Sequence, residues 1–151
     1  MLKNEIGSIV AMSSNNRKNL SGMPSLIIEG VAIDPLLHGK GAYGKILSEM
    51  YNGEATICFR TQNPRLYAAH EMYCHKVYPG VEEMPGAIKE IQKALASELK
   101  CAIDKNGVVK GYYGSLFYGK EPFHERISPF FKEILEMDLY KGDAVLVVGV
   151  K

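Results

Sequence analysis

A glycine-rich segment, residues 38 to 45, has the residue types best suited to binding an anion. It follows an apolar run at residues 26 to 33 and precedes apolar residues at helical spacing, so we predict a strand, a loop and a helix. Glycines let successive backbone N–H groups close around one phosphate, and the helix dipole adds attraction. The segment therefore predicts a phosphate-binding loop; its residues are His38, Gly39, Lys40, Gly41, Ala42, Tyr43, Gly44 and Lys45.

One short pattern in this loop is that of nucleotide hydrolases. Gly39 and the pair Gly44-Lys45 fit GxxxxGK. That loop needs a Ser or Thr hydroxyl next, to reach the magnesium ion, and Ile46 stands there. The pattern is therefore a weak argument for a hydrolase.

A second pattern is that of dinucleotide-binding folds. Gly39, Gly41 and Gly44 fit GxGxxG between a strand and a helix. The next strand should then end in an acidic residue that binds the ribose, but it ends in Phe59-Arg60. An arginine there suits a 2′-phosphate, so an NADP-binding protein remains an alternative.

Residues 29 to 47 as a whole resemble motif A of the GNAT superfamily of acetyl-CoA-dependent N-acyltransferases. The apolar strand and its exit match in Val31-Ala32-Ile33-Asp34-Pro35, and the loop matches in Gly39-Lys40-Gly41. His38 stands where Gln or Arg is usual, and Tyr43 stands at the final Gly or Ala position, directly before Gly44. Residues 60 to 73 resemble the fifth strand and following helix of the same superfamily through Asn63, Ala69 and Tyr73.

The resemblance implies that acetyl-CoA or another acyl-CoA is a co-substrate and that no metal is required. Its pyrophosphate would lie on the backbone of residues 39 to 44, and its pantetheine arm would pair with the backbone of the preceding strand. The implied cofactor-binding residues are Val31, Ile33, His38, Gly39, Lys40, Gly41, Ala42, Gly44 and Asn63.

The resemblance also implies direct transfer of an acyl group to an amine, which needs a base for the ammonium and an acid for the departing thiolate. Glu29, inside the apolar strand, is the candidate base, because burial would raise its pKa. Tyr73 is the candidate acid, on the same helix face as Ala69. His70 and His75 are alternative bases. No residue pattern identifies the acceptor amine.

The resemblance covers residues 26 to 78, whereas the 25 residues before it form a shortened N-terminal part and residues 79 to 151 a divergent C-terminal part. The acceptor side is then built by the C-terminal half or completed by a second chain, which leaves a homo-oligomer open. The alternative to an enzyme is a CoA-binding module without catalysis, or a fragment completed by a partner.

The fold class that we predict is α/β (α+β), one domain of 151 residues with a mixed central sheet flanked by helices. Strands are expected at residues 6 to 12, 26 to 33, 54 to 60, 108 to 113 and 144 to 150, with a loop at 13 to 24. Helices are expected after the glycine loop, from Asn63 to Pro79-Gly80, and at residues 85 to 100 and 129 to 139.

Composition limits the partners and the compartment. A net charge of +1, with no Lys/Arg run longer than two, argues against nucleic acid and anionic membranes as partners. Lys3 and Glu5 interrupt the first apolar stretch, which therefore does not fit a signal peptide. The three cysteines, Cys58, Cys74 and Cys101, match neither a disulfide framework nor a metal site, so we expect a cytoplasmic protein.

Overall fold

The computed structural model describes residues 1 to 151 as a seven-stranded mixed sheet with helices on both faces. The strand order is β1-β2-β3-β4-β7-β5, with β6 beside β7. Only β3 and β4 are parallel; every other pair is antiparallel. The strands are β1 (Leu2–Lys3), β2 (Ile9–Leu20), β3 (Met23–Ile33), β4 (Thr56–Thr61), β5 (Lys76–Tyr78), β6 (Val108–Val109) and β7 (Ala144–Val150).

Three helices cover the sheet: α1 (Ala42–Met50), α2 (Pro64–Tyr73) and α3 (Gly86–Glu98). One face of the sheet packs under α1, α2 and the helical turns Ile127–Pro129 and Phe130–Ile134, through a cluster that includes Ile28, Leu47 and Phe59. The opposite face packs under α3 through Ile27, Cys58 and Leu95. The predicted mixed sheet flanked by helices is confirmed. None of the helices is both long enough and apolar enough to cross a membrane.

The first expectation that the structure corrects is the loop at residues 13 to 24. Strand β2 continues to Leu20 and pairs with β3 along nearly its whole length, from Ala11 opposite Ile33 to Leu20 opposite Met23. The second half of this strand is a run of seven polar residues, Ser13 to Asn19, and the asparagines and the lysine among them are of types depleted in strands. Pairing with an apolar neighbour overrides that propensity.

The second half of the chain is less regular than predicted. Helix α2 ends at Tyr73, and β5 follows, so Val77 lies in a strand rather than on the helix. The strand expected at residues 108 to 113 consists of Val108–Val109 alone, and the helix expected at residues 129 to 139 is limited to two short turns. Helix α3 and strand β7 are confirmed as predicted.

Candidate functional site

The two parallel strands separate partway along their length. Pairing of β3 with β4 runs from Ser25 opposite Thr56 to Ile28 opposite Phe59, but β3 continues to Ile33 beside β2 alone. The register of β2 and β3 changes at the same level, and Glu29 is the extra residue on β3. A β-bulge bends the strand that contains it, and the bulge at Glu29 lies at the level where β3 separates from β4. The resulting gap at the carboxyl ends of β3 and β4 is called the strand opening below.

The end of β3 presents an unpaired backbone edge to the strand opening. The N–H of Asp34 donates to Val10 O at 2.8 Å, so Asp34 directs its backbone groups toward β2. Successive residues direct these groups to opposite sides, so Val31 and Ile33 direct theirs toward the opening. The His38 imidazole Nε2 lies 3.1 Å from Ile33 O, at this edge. Val31 is therefore available to pair with an extended ligand, and Ile33 is available once His38 moves.

The predicted loop does lie between β3 and a helix. A turn at Pro35–Leu37 follows the strand, and α1 begins at Ala42, so the last residues of the loop form the first helical turn. Gly39 and Gly41 have φ values of +75° and +77°, a region that favours glycine. Five backbone N–H groups here donate to no acceptor within the protein, those of Gly39, Gly41, Ala42, Tyr43 and Gly44.

Unpaired N–H groups at the positive end of a helix are the arrangement that binds phosphate. The exposed side chains of Lys40 and Lys45 lie on the same segment, and neither is in an ion pair. Asn63 lies just after β4, and its Oδ1 accepts from Arg65 N at 3.0 Å as the cap of α2. The loop therefore has the backbone donors and the positive charge that an anion requires.

Glu29 is exposed, which corrects the expectation that it is buried. Leu26, Ile27 and Ile28 are buried, but β3 loses its neighbour β4 directly after them. Since Ile28 faces α1 and α2, alternation directs Glu29 toward the face that α3 covers. Its Oε2 accepts from Ser14 Oγ at 3.2 Å. The carboxylate lies beside the strand opening, in contact with solvent.

Tyr73 lies at the other end of the sheet. It is the last residue of α2, which runs back along β4, and its ring lies 3.9 Å from the Lys151 ammonium. Lys151 follows β7, and its N–H donates to Ala55 O just before β4 begins. The structure therefore does not bring Tyr73 together with Glu29. His75 is exposed in the same region.

The aromatic group that does lie near the opening is Tyr43, in the first turn of α1. Its hydroxyl oxygen is 3.0 Å from Nδ1 of His70, which is fully buried on α2. The His70 ring centroid is 3.8 Å from that of Phe59, the last β4 residue that pairs with β3. Burial lowers the pKa of His70 to about 3, despite an opposing hydrogen bond to Leu66 O, so the imidazole is neutral. Burial also raises the pKa of Tyr43, with a smaller contribution from Cys74.

Sequence reasoning treated Tyr43 only as a departure in the loop and His70 only as an alternative base. The signal available was the position of each residue in its helix. Tyr43 begins α1, and His70 lies seven residues after the helix cap Asn63, on the face with Pro64 and Tyr67 that α2 buries. Only a fold that packs the two helices together makes them neighbours.

Arg60 occupies the base of the opening on the α3 face. Its Nη2 donates to Glu29 O at 3.2 Å, and its guanidinium carbon lies 5.3 Å from the centroid of Tyr112. The Nε atom of Arg60 is buried and has no hydrogen-bond partner. Such a donor is costly when unpaired, so an oxygen from a bound ligand would satisfy it.

Comparison with family models, with curated proteins and with solved structures finds no match to this chain. The assignment of the site therefore depends on its geometry.

A surface cavity of about 610 Å³ lies elsewhere and includes Gly80, Gln92, Asp104 and Leu135 in its lining. None of the residues of the loop or the strand opening lines it. That cavity therefore does not include the unpaired backbone donors of the loop. We take the loop and the strand opening as the candidate site.

Proposed function

We propose that the protein is an N-acyltransferase that uses an acyl-CoA, most simply acetyl-CoA, in the manner of the GNAT superfamily. The observation that carries the proposal is the set of five unpaired N–H groups between Gly39 and Gly44, in the loop that joins α1 to a strand that separates from its parallel neighbour. The pyrophosphate of CoA is the proposed ligand of these groups. The pantetheine arm would extend along β3 and pair with Val31 and, after His38 moves, with Ile33.

The proposed reaction is direct transfer. The lone pair of a neutral amine attacks the thioester carbonyl carbon, a C–N bond forms, and the C–S bond breaks with its electron pair on sulfur. Before the attack, Glu29 takes one proton from the substrate ammonium, directly or through water, and passes it to solvent. Once the C–N bond has formed, the nitrogen loses its second proton to solvent, and the thiolate takes a proton from solvent to leave as the thiol. Because Glu29 is in contact with solvent, it can return its proton to water between turnovers.

Tyr43 is the group that we propose beside the departing sulfur, in place of Tyr73. Because its pKa is raised, the hydroxyl keeps its proton and can donate a hydrogen bond to the thiolate. Neutral His70 holds the hydroxyl from the other side. Glu29 and Tyr43 then act from opposite faces of the strand opening.

Two alternatives share the same loop. A CoA-binding module without catalysis would use these N–H groups alone, and the solvent exposure of Glu29 favours it over the buried base that the sequence predicted. An NADP-binding protein would place its 2′-phosphate near Arg60, but this side chain donates to Glu29 O and lies over Tyr112, which favours a structural role.

Thermal unfolding with each ligand separates these functions. A ligand at ~100 times its dissociation constant stabilises by about 2.7 kcal/mol, so acetyl-CoA should raise the melting temperature while NADPH and ATP should not. A rise with NADPH alone would replace the proposal with the dinucleotide function.

Release of the CoA thiol across a panel of amines then tests catalysis. Glu29→Gln should slow transfer by ~10²- to 10⁴-fold with acetyl-CoA binding unchanged. Glu133→Gln, at an exposed carboxylate outside the site, is the matched control and should have the wild-type rate. If the wild type binds acetyl-CoA but acylates no amine, the binding module is the correct function.

A further inference from the structure

The outer edge of strand β2 is uncovered over much of its length. Strand β1 pairs with β2 only through Leu2 opposite Ala11 and Lys3 opposite Ile9, and no strand lies beside β2 beyond that. Residues 12 to 20 of β2 therefore border the sheet, and they are called the free edge below. They include no proline, and the bulge in this hairpin adds its extra residue to β3. A long unpaired edge of this kind is a template for pairing with another strand.

Alternation along β2 determines which backbone groups the free edge presents. Val10 O accepts from Asp34 N, so the even-numbered residues of β2 direct their backbone groups toward β3. The other end of the hairpin agrees, because Pro24, opposite Asn19, directs its carbonyl away from β2 and accepts from Ala55 N. The odd-numbered residues of β2 direct their groups outward, where no strand pairs with them. These edge residues are Ser13, Asn15, Arg17 and Asn19.

Side chains on the α3 face of the free edge bring together charges of both signs. Lys18 lies on this face, since its ammonium is 3.9 Å from the Glu98 carboxylate of α3, and both side chains are exposed. Ser14 lies on the same face nearer the start of β2, and its Oγ donates to Glu29 Oε2 at 3.2 Å. The free edge thus has a cation near one end and an anion near the other. An antiparallel copy of the same edge would place unlike charges together.

Few registers are possible for two antiparallel copies, because only the odd-numbered residues can exchange hydrogen bonds across the interface. A twofold axis at Asn16 pairs every edge residue of one copy with an edge residue of the other. An axis at Asn15 would place Asn19 opposite Ala11, whose outer side β1 already occupies. An axis at Arg17 would place two arginines opposite each other, and like charges in that position are destabilising. The axis at Asn16 is therefore the favoured register.

This register also pairs the charges. Lys18 of each copy lies opposite the partner's Ser14, in a non-hydrogen-bonded pair whose Cα atoms are about 4.5 Å apart. The partner's Glu29 accepts from that serine, so the long lysine side chain can bring its ammonium to the carboxylate. The contact of Lys18 with Glu98 is long and exposed, and exchanging such a pair costs little. Lysine on an edge strand usually discourages pairing, but in this register it meets an anion.

We infer that two copies of the chain pair through their free edges, antiparallel about an axis at Asn16, as a symmetric dimer with one continuous sheet. Lys18 of each copy binds Glu29 of the other. The dimer does not depend on the acyltransferase proposed above, since neither the glycine-rich loop nor a ligand takes part in it. Where that function holds, the partner's ammonium lies beside the strand opening, so each copy adds a charged group to the other's site.

Sedimentation equilibrium without any ligand tests the dimer. The wild type should dimerise reversibly as its concentration is raised. Lys18→Glu and Glu29→Lys each place like charges together twice in the symmetric interface, so each should raise the dimer dissociation constant by at least ~10-fold. The double variant exchanges the two charges and should return to within about 3-fold of the wild type. Lys120→Glu makes the same charge change at an exposed lysine outside the free edge and should leave dimerisation unchanged.

Cross-linking tests the register. Asn16 faces the partner's Asn16 across the axis, within the ~7 Å between Cα atoms that a disulfide allows, so mild oxidation should join two copies of Asn16→Cys. Ser14→Cys faces Lys18 instead and should not cross-link. The wild type sets the background for the native cysteines, which are Cys58, Cys74 and Cys101.

A wild type that stays monomeric at every concentration, or a double variant that dimerises no better than the single variants, would overturn the dimer. Equal cross-linking of Ser14→Cys and Asn16→Cys would overturn the register. Either failure is distinct from failure of the acyltransferase, which is decided by the response to acetyl-CoA.

Discussion

The hydroxyl oxygen of Tyr43 lies 3.0 Å from Nδ1 of His70, and this contact joins the first turn of α1 to the middle of α2. Because His70 is fully buried against Phe59, the position of Tyr43 is tied to the strand that borders the opening. A neutral imidazole has one nitrogen that accepts and one that donates a hydrogen bond. When Nδ1 carries the proton, His70 donates to the Tyr43 oxygen, and the tyrosine proton stays free for a ligand.

Replacing Tyr43 with Phe should lower kcat by about 10- to 100-fold, because one hydrogen bond to the departing thiolate is lost. Acetyl-CoA binding should persist, since the backbone N–H groups of the loop are unchanged. Thiol release under saturating acetyl-CoA measures kcat. Tyr73→Phe, at the far end of α2, is the control and should retain the wild-type kcat. A lower kcat for Tyr73→Phe together with a wild-type kcat for Tyr43→Phe would make Tyr73 the acid.

His70 makes folding sensitive to mild acid. Its folded pKa of about 3 lies below the unfolded value of ~6.5, so below pH 6.5 the unfolded chain binds a proton that the folded protein does not. Stability from this residue is complete above pH 6.5 and declines as the pH falls from there toward 3. Between pH 7.5 and 5.5 the free energy of unfolding should fall by about 1.4 kcal/mol.

Urea unfolding of the wild type and of His70→Gln at these two pH values measures the effect. The variant is expected to be less stable at pH 7.5, but its loss on acidification should be smaller by about 1.4 kcal/mol. The other three histidines are present in both proteins and cancel in the comparison. Parallel pH profiles would show that His70 is not the group responsible.

Gly41→Ala should abolish tight acetyl-CoA binding. A residue other than glycine at its φ of +77° costs about 1 kcal/mol, and relief of that strain would change the directions of the loop N–H groups. Gly53→Ala introduces the same kind of strain at φ +86°, before β4 and away from the loop. Both variants should lose similar stability, but only Gly41→Ala should lose the thermal shift with acetyl-CoA. Equal binding by the two would argue against the loop.

Asp143 anchors the segment that directly follows β6. This buried carboxylate accepts from Gly111 N at 2.9 Å and Asp138 N at 2.8 Å, and pairs with Lys110 Nζ at 3.1 Å. Burial by itself would raise the pKa of Asp143, but these hydrogen bonds and the Lys110 charge hold it below the usual value. Asp143 therefore stabilises the fold fully above pH ~3.9, and the effect is lost as the pH falls through the lower folded pKa.

Asp143→Ala should reduce the free energy of unfolding at pH 7 by about 2–4 kcal/mol, because two backbone donors lose their acceptor. Lys110→Met removes only the half-exposed partner and should cost less than about 1 kcal/mol. Urea unfolding at neutral pH gives both values. A loss with Lys110→Met as large as with Asp143→Ala would mean that the ion pair, rather than the backbone contacts, stabilises this segment.

The strand, loop and helix that form the site were predictable because their signals are local. Val31 and Ile33 belong to an apolar run, and Gly39 and Gly41 adopt the conformation for which glycine is suited. The cap of α2 was predictable as well, since Asn63 accepts from Arg65 N within two residues. Each of these features depends on a few neighbouring residues.

What could not be predicted depends on contacts between distant segments. The polar half of β2 is a strand because β3 pairs with it, and Tyr43 contacts His70 across 27 positions of sequence. The catalytic expectation for Tyr73 relied on helix spacing, which gives the face of a helix but not which end approaches the opening.

The bulge at Glu29 also changes the phase of the hydrophobic pattern along β3. Before it, the even-numbered Leu26 and Ile28 pack under α1 and α2; after it, the odd-numbered Val31 and Ile33 pack on that side. The residues before the bulge are apolar on both faces, because Ile27 packs under α3, and the change of phase removes any single period of two from the whole strand. Deleting this single residue should therefore invert the end of β3, exposing Val31 and Ile33 and turning Ala32 inward, without altering any other amino acid.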